Sequence, residues 1–207
     1  MRAGRVRPDP DRIGAEWPVE LDETLIGGKT RGEGRGVHHK IYVAGAVEVR
    51  KKPDLRRRHH TVYAGRLRLR VMEDRGKRSL EAFVTQNIDT HSQVITDGWQ
   101  GYDNLATLGY NHAPVVLGGD PEKAEKALPM IHLIFSNLKA WLLGTHHGVS
   151  TQHLPAYLNE FVFRFNRRFY PMTAFASAPG IGTCVTGPAY DTLYGGRWVH
   201  PTSPAKA

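Results

Sequence analysis

Residues 17–28 read WPVELDETLIGG, and this stretch sets the first element of the fold. Apolar and acidic residues alternate over Val19–Asp22, and a Gly-Gly pair follows a few residues later. Alternation with a period of two is typical of a strand whose two faces meet different surroundings, and paired glycines mark the end of such an element. The sequence therefore predicts a strand that carries Asp22 near its end.

Two further strands are predicted directly downstream, each after a basic loop. Residues 41–49 are almost wholly apolar and rich in β-branched types, which is typical of a buried strand. Residues 66–72 read RLRLRVM, where leucine and valine alternate with arginine. This alternation predicts a half-exposed strand. Its arginine face has two interpretations, which are simple solvation and contact with DNA.

The rest of the chain alternates between helical and strand patterns. We predict a helix over 79–86, a strand over 92–96, a helix over 99–108, a strand over 115–117, and long helices over 128–144 and 152–168. Pro129 suits the start of the first long helix and Gly144 its end, and Ser150 or Thr151 suits the cap of the second. Three early strands joined by short loops favour antiparallel pairing, and strands separated by helices favour parallel pairing. We expect an α/β fold with a mixed sheet and helices on both faces.

Composition and charge narrow the classes of function. The 207 residues carry a formal charge of +8, and 20 of the 28 Lys and Arg residues lie within residues 1–78. This asymmetry suits a polyanion such as DNA, although a basic protein with solvated arginines would show it too. No apolar run is long enough to span a membrane. Cys184 is the only cysteine, which excludes an intrachain disulfide framework and favours a reducing, cytoplasmic setting.

Four residues form the candidate site. Asp22 and Asp97 each lie at or just beyond the end of a predicted strand, and His132 and Lys139 lie on one stripe of a predicted helix. Two carboxylates from neighbouring strand ends can hold Mg²⁺ together with substrate phosphate oxygens. Other interpretations stay open at this point. Asp97 precedes a glycine and suits a turn, His132 suits a partly buried position, and Lys139 can extend along the helix surface.

The motifs VELDETLIGGK, VITDGWQGYDNLATLGYNH, SNLKAWLLGTHHGVS and HLPAYLNEFVFRFNRR occur in this order over residues 19–168. Together they resemble the catalytic domain of bacterial insertion-sequence transposases, which belong to the ribonuclease-H-like DDE superfamily. The resemblance implies a ribonuclease-H-like five-stranded mixed sheet and two divalent ions, Mg²⁺ or Mn²⁺. It implies that Asp22 and Asp97 are metal ligands, that His132 holds the third catalytic and metal-binding position, and that Lys139 contacts DNA. Glu125 is the nearest acidic alternative to His132 and ranks below it, because Pro129 separates it from the helix.

Several other residues become candidates once DNA is the expected substrate. His146 and His147 suit either a helix-ending turn or a phosphate contact, and Arg164, Arg167 and Arg168 suit either a helix C-terminus or the DNA backbone. The basic run 56–60, RRRHH, suits a solvated loop or a phosphate clamp. Trp99 and Tyr102 suit core packing or stacking on a flipped base.

The expected function is metal-dependent DNA strand cleavage and strand transfer, with DNA ends and target as partners and a homo-oligomer in the synaptic complex. Residues 1–17 are expected to be a disordered or truncated lead, residues 18–170 the catalytic domain, and residues 171–207 a C-terminal extension. No Cys-x-x-Cys pair precedes Asp22, so the chain resembles the catalytic part alone and its activity is open. A nuclease of the same fold and a non-catalytic DNA-binding relic are the alternatives.

Overall fold

The structure is a computed structural model that describes residues 11–27, 40–54, 59–115, 127–146, 149 and 152–170. The strands are β1 (Val19–Ile26), β2 (Ile41–Asp54), β3 (His59–Met72), β4 (Gln93–Thr96) and β5 (Asn111–Pro114). The α-helices in these ranges are α1 (Lys77–Asn87), α2 (Pro129–His146) and α3 (Leu154–Asn166), and a short 3-10 helix covers Gln100–Tyr102.

The strands form one mixed sheet in the order β3-β2-β1-β4-β5. β1 pairs antiparallel with β2, and β2 pairs antiparallel with β3. β4 pairs in parallel with both β1 and β5. The predicted α/β fold with a five-stranded mixed sheet, antiparallel first and then parallel, is confirmed, and it is consistent with a ribonuclease-H-like architecture.

Helices cover the sheet on both faces, so the domain has three layers. One core packs α2 and α3 against the sheet, and its largest contributors from the helices are Ile131, Ile134, Phe135, Leu138 and Leu158. The other core packs α1 and the 3-10 helix against the opposite face, with Leu80, Phe83 and Tyr102 at its centre. Within the described ranges, no helix combines the length and apolar character that crossing a lipid bilayer requires.

The arginine face of β3 is covered, so the prediction of a half-exposed strand is wrong. Arg68 is only 3% exposed and donates hydrogen bonds to the carbonyl oxygens of Leu67 and Asp11. Arg66 pairs with the buried Glu48 at 2.9 Å, and Arg70 lies over the ring of Phe83 in α1. Long arginine stems pack against apolar surface while each charged end finds a partner. An alternation of leucine and arginine therefore does not imply a solvated face.

The predicted helix over 99–108 is also wrong, because only one 3-10 turn forms there and turns follow it. The Thr107 hydroxyl donates to the backbone carbonyl of Asn104 at 2.8 Å, and the Asn104 side chain reaches Glu81 in α1. Side-chain bonds of this kind compete with helical backbone bonds.

Other element boundaries also differ. β2 continues to Asp54 and β3 begins at His59, so the basic loop between them is shorter than predicted. Asp22 is the fourth of the eight residues of β1, so the prediction that it lies near the end of its strand is wrong. α2 continues to His146, beyond the predicted stop at Gly144, and β5 precedes the predicted strand over 115–117. Residues 116 and 117, the suggested caps Ser150 and Thr151, and residues 171–207 lie outside the described residues. Of the expected N-terminal lead, residues 11–17 pack on the domain: Ile13 is fully buried and its N–H donates to the carbonyl of Asn87 at 2.9 Å.

Candidate active site

Asp22 and His132 meet on the face of the sheet that α2 covers. The Nε2 atom of His132 lies 3.0 Å from Oδ2 of Asp22, and the side chains are 28% and 13% exposed. An ionised carboxylate only accepts hydrogen bonds, so with an ionised Asp22 this contact requires the tautomer of His132 that carries a proton on Nε2. The strand-borne acid and the helix-borne imidazole that the sequence suggested are thus brought together.

Asp97 follows β4 directly, and the register of the parallel strands relates it to Asp22. β1 and β4 pair Val19 with Val94 and Glu20 with Ile95. Continued two residues beyond these pairs, the same offset would set Asp22 level with Asp97, which follows the last residue of β4. Neighbouring strands lie about 4.8 Å apart, so two carboxylates at one level of adjacent strands can serve one ion. The Asp97 carboxylate also accepts the N–H of Trp99 at 3.0 Å, which fixes the turn.

The donor set fits a hard divalent cation. Among the described residues, no group of three or more His, Cys, Asp or Glu side chains is arranged to hold a metal ion. Mg²⁺ does not require such a group, because it is commonly held by one or two carboxylates, several waters and the phosphates of the substrate. Asp22 and Asp97 are donors of this kind, and an imidazole such as that of His132 favours Mn²⁺ over Mg²⁺.

Glu20 positions α2, and it was not predicted as a functional residue. Its side chain is 3% exposed and accepts the backbone N–H groups of Met130 and Ile131 at 2.8 and 2.9 Å. Burial raises the pKa of Glu20, although these two hydrogen bonds and the nearby His132 oppose the rise. The carboxylate thereby satisfies the open N–H groups at the start of the helix. The sequence contains one signal for this role: residue 20 is acidic and lies on the same face of β1 as Asp22.

Gly45 permits the close approach of α2 to the sheet. It is the β2 partner of Asp22 in the antiparallel register. A Cβ atom at Gly45 would lie 2.7 Å from Cε1 of Phe135 and 2.9 Å from Cδ1 of Ile131. Because Gly45 has no side chain, α2 packs closely against β2, the strand next to β1. At this position of α2, His132 reaches the carboxylate of Asp22.

The two aromatic residues after Asp97 have different surroundings. Tyr102 is fully buried, and its hydroxyl donates to Glu23 at 2.6 Å. Trp99 is 41% exposed, and the guanidinium of Arg75 lies 4.7 Å from the centre of its ring. Core packing is thus the role of Tyr102, whereas Trp99 lies at the surface beside Asp97.

Lys139 is exposed on α2, two helical turns after His132. Seven residues of α-helix rise about 10 Å, so its amine lies farther along the same stripe than the Asp22 contact. That position suits a DNA backbone approaching the acidic residues from outside.

The remaining candidates have packing partners of their own. The His146 ring lies 4.2 Å from that of Tyr157 and 5.0 Å from that of Trp141, and within the described part of the chain its buried Nε2 has no hydrogen-bond partner. Arg164 pairs with Glu160. Arg167 and Arg168 lie over phenylalanine rings, and burial lowers the pKa of Arg168. Glu125, His147 and residues 56–58 lie outside the described residues. His59 and His60 begin β3, so the prediction of a loop is wrong for these two residues.

Comparison with known proteins identifies the family of the chain. Searches of curated proteins and of solved structures found no match. The model of the ISXO2-like transposase domain, in contrast, matches residues 14–166, from the segment before β1 to the end of α3. The suggested resemblance is therefore confirmed: the chain belongs to the ISXO2-like transposase domains, an insertion-sequence family of the DDE superfamily.

Proposed function

We propose that this transposase domain cuts DNA at the end of a mobile element and joins the freed 3′-hydroxyl to target DNA. The observation that carries the proposal is the 3.0 Å contact of His132 with Asp22 on β1, the strand that pairs in parallel with β4, which Asp97 follows. Membership of the transposase family supplies the reaction class, and the residues supply the site.

Asp22 and Asp97 are the residues that would hold two Mg²⁺ or Mn²⁺ ions. Such ions, when bound, help to activate the attacking oxygen and offset the charge on the leaving oxygen. The carboxylates themselves orient this chemistry. Asp22 lies in the middle of β1 and accepts the Glu23 N–H at 2.8 Å, and Asp97 follows β4 and accepts the Trp99 N–H.

His132 completes the site in one of two ways. In the contact described above it donates Nε2–H to Asp22, which orients the carboxylate. To bind a metal ion through Nε2, His132 must first lose the proton from that nitrogen. An imidazole nitrogen binds a metal through its lone pair, which is available only when the nitrogen is unprotonated. Either role is compatible with His132 as the third catalytic residue of this proposal. The substitution His132→Ala removes both roles.

Basic groups would hold the DNA. Lys139 is exposed on the stripe that leads from His132, and a lysine amine suits a phosphate as a point charge. Arg164 is also exposed at the end of α3. Arg167 and Arg168 lie over aromatic rings. Both terminal nitrogens of Arg168 also donate to backbone carbonyls, those of Phe165 and Ala64, so its contribution to DNA binding would come mainly from its charge. Transfer of two element ends would bring copies of the chain together in a homo-oligomer.

The test is a strand-joining assay with the full chain. The substrate is a duplex that carries the terminal sequence of the element and a free 3′-hydroxyl, with a supercoiled plasmid as target and Mn²⁺ as the ion. We expect joined products from the wild type and from the control Asp103→Ala, whose side chain is exposed. We expect none from Asp97→Ala.

Three other outcomes would overturn the proposal. A folded Asp97→Ala protein that still joins DNA removes Asp97 from the mechanism. Hydrolysis by the wild type without any joining indicates a nuclease of the same fold. Salt-dependent DNA binding without metal-dependent cleavage indicates a DNA-binding relic.

A further inference from the structure

The sheet alone does not fix Asp97 opposite Asp22. The residue pairs between β1 and β4 are Val19 with Val94 and Glu20 with Ile95. Asp22 and Asp97 lie two residues beyond the second pair, and Asp97 itself follows the end of β4. Contacts other than this ladder must therefore hold the turn that carries Asp97 against β1.

Glu23 makes the first of these contacts. It follows Asp22 on β1, and since side chains alternate along a strand it points to the opposite face. Its side chain is 3% exposed. One carboxylate oxygen accepts the Tyr102 hydroxyl at 2.6 Å, and the other accepts Nε of Arg75 at 2.9 Å. Tyr102 belongs to the 3-10 helix that begins three residues after Asp97, so β1 is tied directly to the segment after the turn.

Arg75 makes the second contact. Its guanidinium is bound to Glu23 and also lies over the Trp99 ring, 4.7 Å from its centre. The Trp99 backbone N–H in turn donates to the Asp97 carboxylate at 3.0 Å. A continuous chain of contacts thus runs from Glu23 through Arg75 and Trp99 to Asp97.

We propose that Glu23, with Arg75 and Tyr102, is a positioning group that holds Asp97 level with Asp22 from the far side of the sheet. This inference rests on the proposed function, since it assigns a role toward the same ion-binding carboxylates. Glu23 is not a ligand in this account. It acts through the turn 97–102.

The electrostatics of the cluster agree with this role. Burial raises the pKa of Glu23, and the bonds from Tyr102 and Arg75 offset part of that cost. Burial likewise raises the pKa of Tyr102, and the charges of Glu23, Asp22 and Asp97 act in the same direction.

The test compares two tyrosines that each lose one buried hydroxyl. Tyr102→Phe removes the bond to Glu23, whereas Tyr110→Phe removes a bond to the carbonyl of Ile88 in the same core. Mn²⁺ affinity of the full chain is measured by the electron paramagnetic resonance signal of free Mn²⁺. Loss of a group that orients metal ligands typically weakens metal binding about 10-fold or more. We expect that loss for Tyr102→Phe and wild-type affinity for Tyr110→Phe.

Equal Mn²⁺ affinities of folded Tyr102→Phe and Tyr110→Phe overturn the inference. If Tyr102→Phe does not fold, Arg75→Met tests the same chain of contacts, with exposed Arg78→Met as its control; an unchanged affinity in Arg75→Met is then the contradicting result. Asp97→Asn separates this inference from the proposed function. If Asp97→Asn binds Mn²⁺ as the wild type does, the ion site itself is wrong, whatever the tyrosine variants show.

Discussion

The Nε2 atom of His132 lies 3.0 Å from the Oδ2 atom of Asp22, although 110 residues separate the two along the chain. The contact joins the second turn of a helix to the middle of a strand, so it depends on how α2 is seated on the sheet. Glu20 binds the start of α2, and Gly45 leaves room for Phe135 and Ile131. These four residues have no catalytic role in this account, and they determine where the imidazole lies.

Replacing His132 tests the third position of the site. His132→Ala removes the donor to Asp22 and any ligation by the ring, so we expect Mn²⁺-dependent strand cleavage to fall about 10- to 100-fold. The side chain is 28% exposed, and the thermal unfolding midpoint should change little. If folded His132→Ala cleaves DNA at the wild-type rate, the imidazole has only a structural role. The exposed His91 offers a control substitution.

Adding one methyl group at Gly45 tests the seating of α2. Gly45→Ala places a Cβ within 2.9 Å of two core side chains, and overpacking of this kind costs about 1–3 kcal/mol of unfolding free energy. We expect cleavage to fall as well, because α2 moves away from Asp22. The double variant Gly45→Ala, Phe135→Leu should recover part of both losses. Unchanged stability in the single variant, measured by urea unfolding, would contradict the close approach.

Glu48 should make stability depend on pH in the acid range. Burial raises its pKa, but bonds from Arg66, Arg50 and the Gly14 N–H outweigh that effect and lower the pKa below the ordinary value of 4.5. A carboxyl whose pKa is lowered by folding stabilises the protein above its unfolded pKa, and this contribution is lost as pH falls through the folded pKa.

The variant Glu48→Gln isolates this contribution. It should cost about 2 kcal/mol at pH 7, the scale of hydrogen bonds to a charged group, and the difference from the wild type should shrink below pH 4.5. Chemical unfolding at pH 7 and pH 3 measures both values. Exposed Glu73→Gln is the control. A difference that persists undiminished at pH 3 would show that the charge of Glu48 is not what stabilises the fold.

Lys139 should contribute to DNA affinity independently of sequence. If its amine neutralises one phosphate, Lys139→Ala should reduce the slope of log affinity against log salt concentration by about 1. Fluorescence anisotropy with a labelled duplex, between low and moderate salt, measures the slope. Exposed Lys77→Ala on α1 provides the comparison. Equal slopes for Lys139→Ala and the wild type would remove Lys139 from the DNA-binding surface.

The mixed sheet and the meeting of Asp22 with His132 follow from patterns that the sequence carries well. Alternation over β1 located Asp22, and helical periodicity over α2 placed His132 and Lys139 on one stripe. These patterns are local. The resemblance of the motifs to a transposase family indicated that Asp22 and His132 belong to one site although they lie far apart in the sequence. The mixed sheet then followed from the lengths of the connections between strands.

The supporting residues could not be predicted in this way, because their roles depend on which elements become neighbours. Glu20 appears as one more acid in an alternating strand until α2 lies above it. Arg68 appears solvated until residues 11–13 cover it. The segment after Asp97 has helical composition, but side-chain bonds to its backbone turn it into a 3-10 helix and turns. In each case tertiary contact overrides the local pattern.

Crystals soaked in Mn²⁺ and measured at the manganese absorption edge test the central claim most directly. We expect anomalous density in contact with the carboxylates of both Asp22 and Asp97, and its loss in Asp97→Asn crystals. Manganese bound elsewhere, or carboxylates that turn to separate faces of the sheet in well-ordered density, would contradict the account.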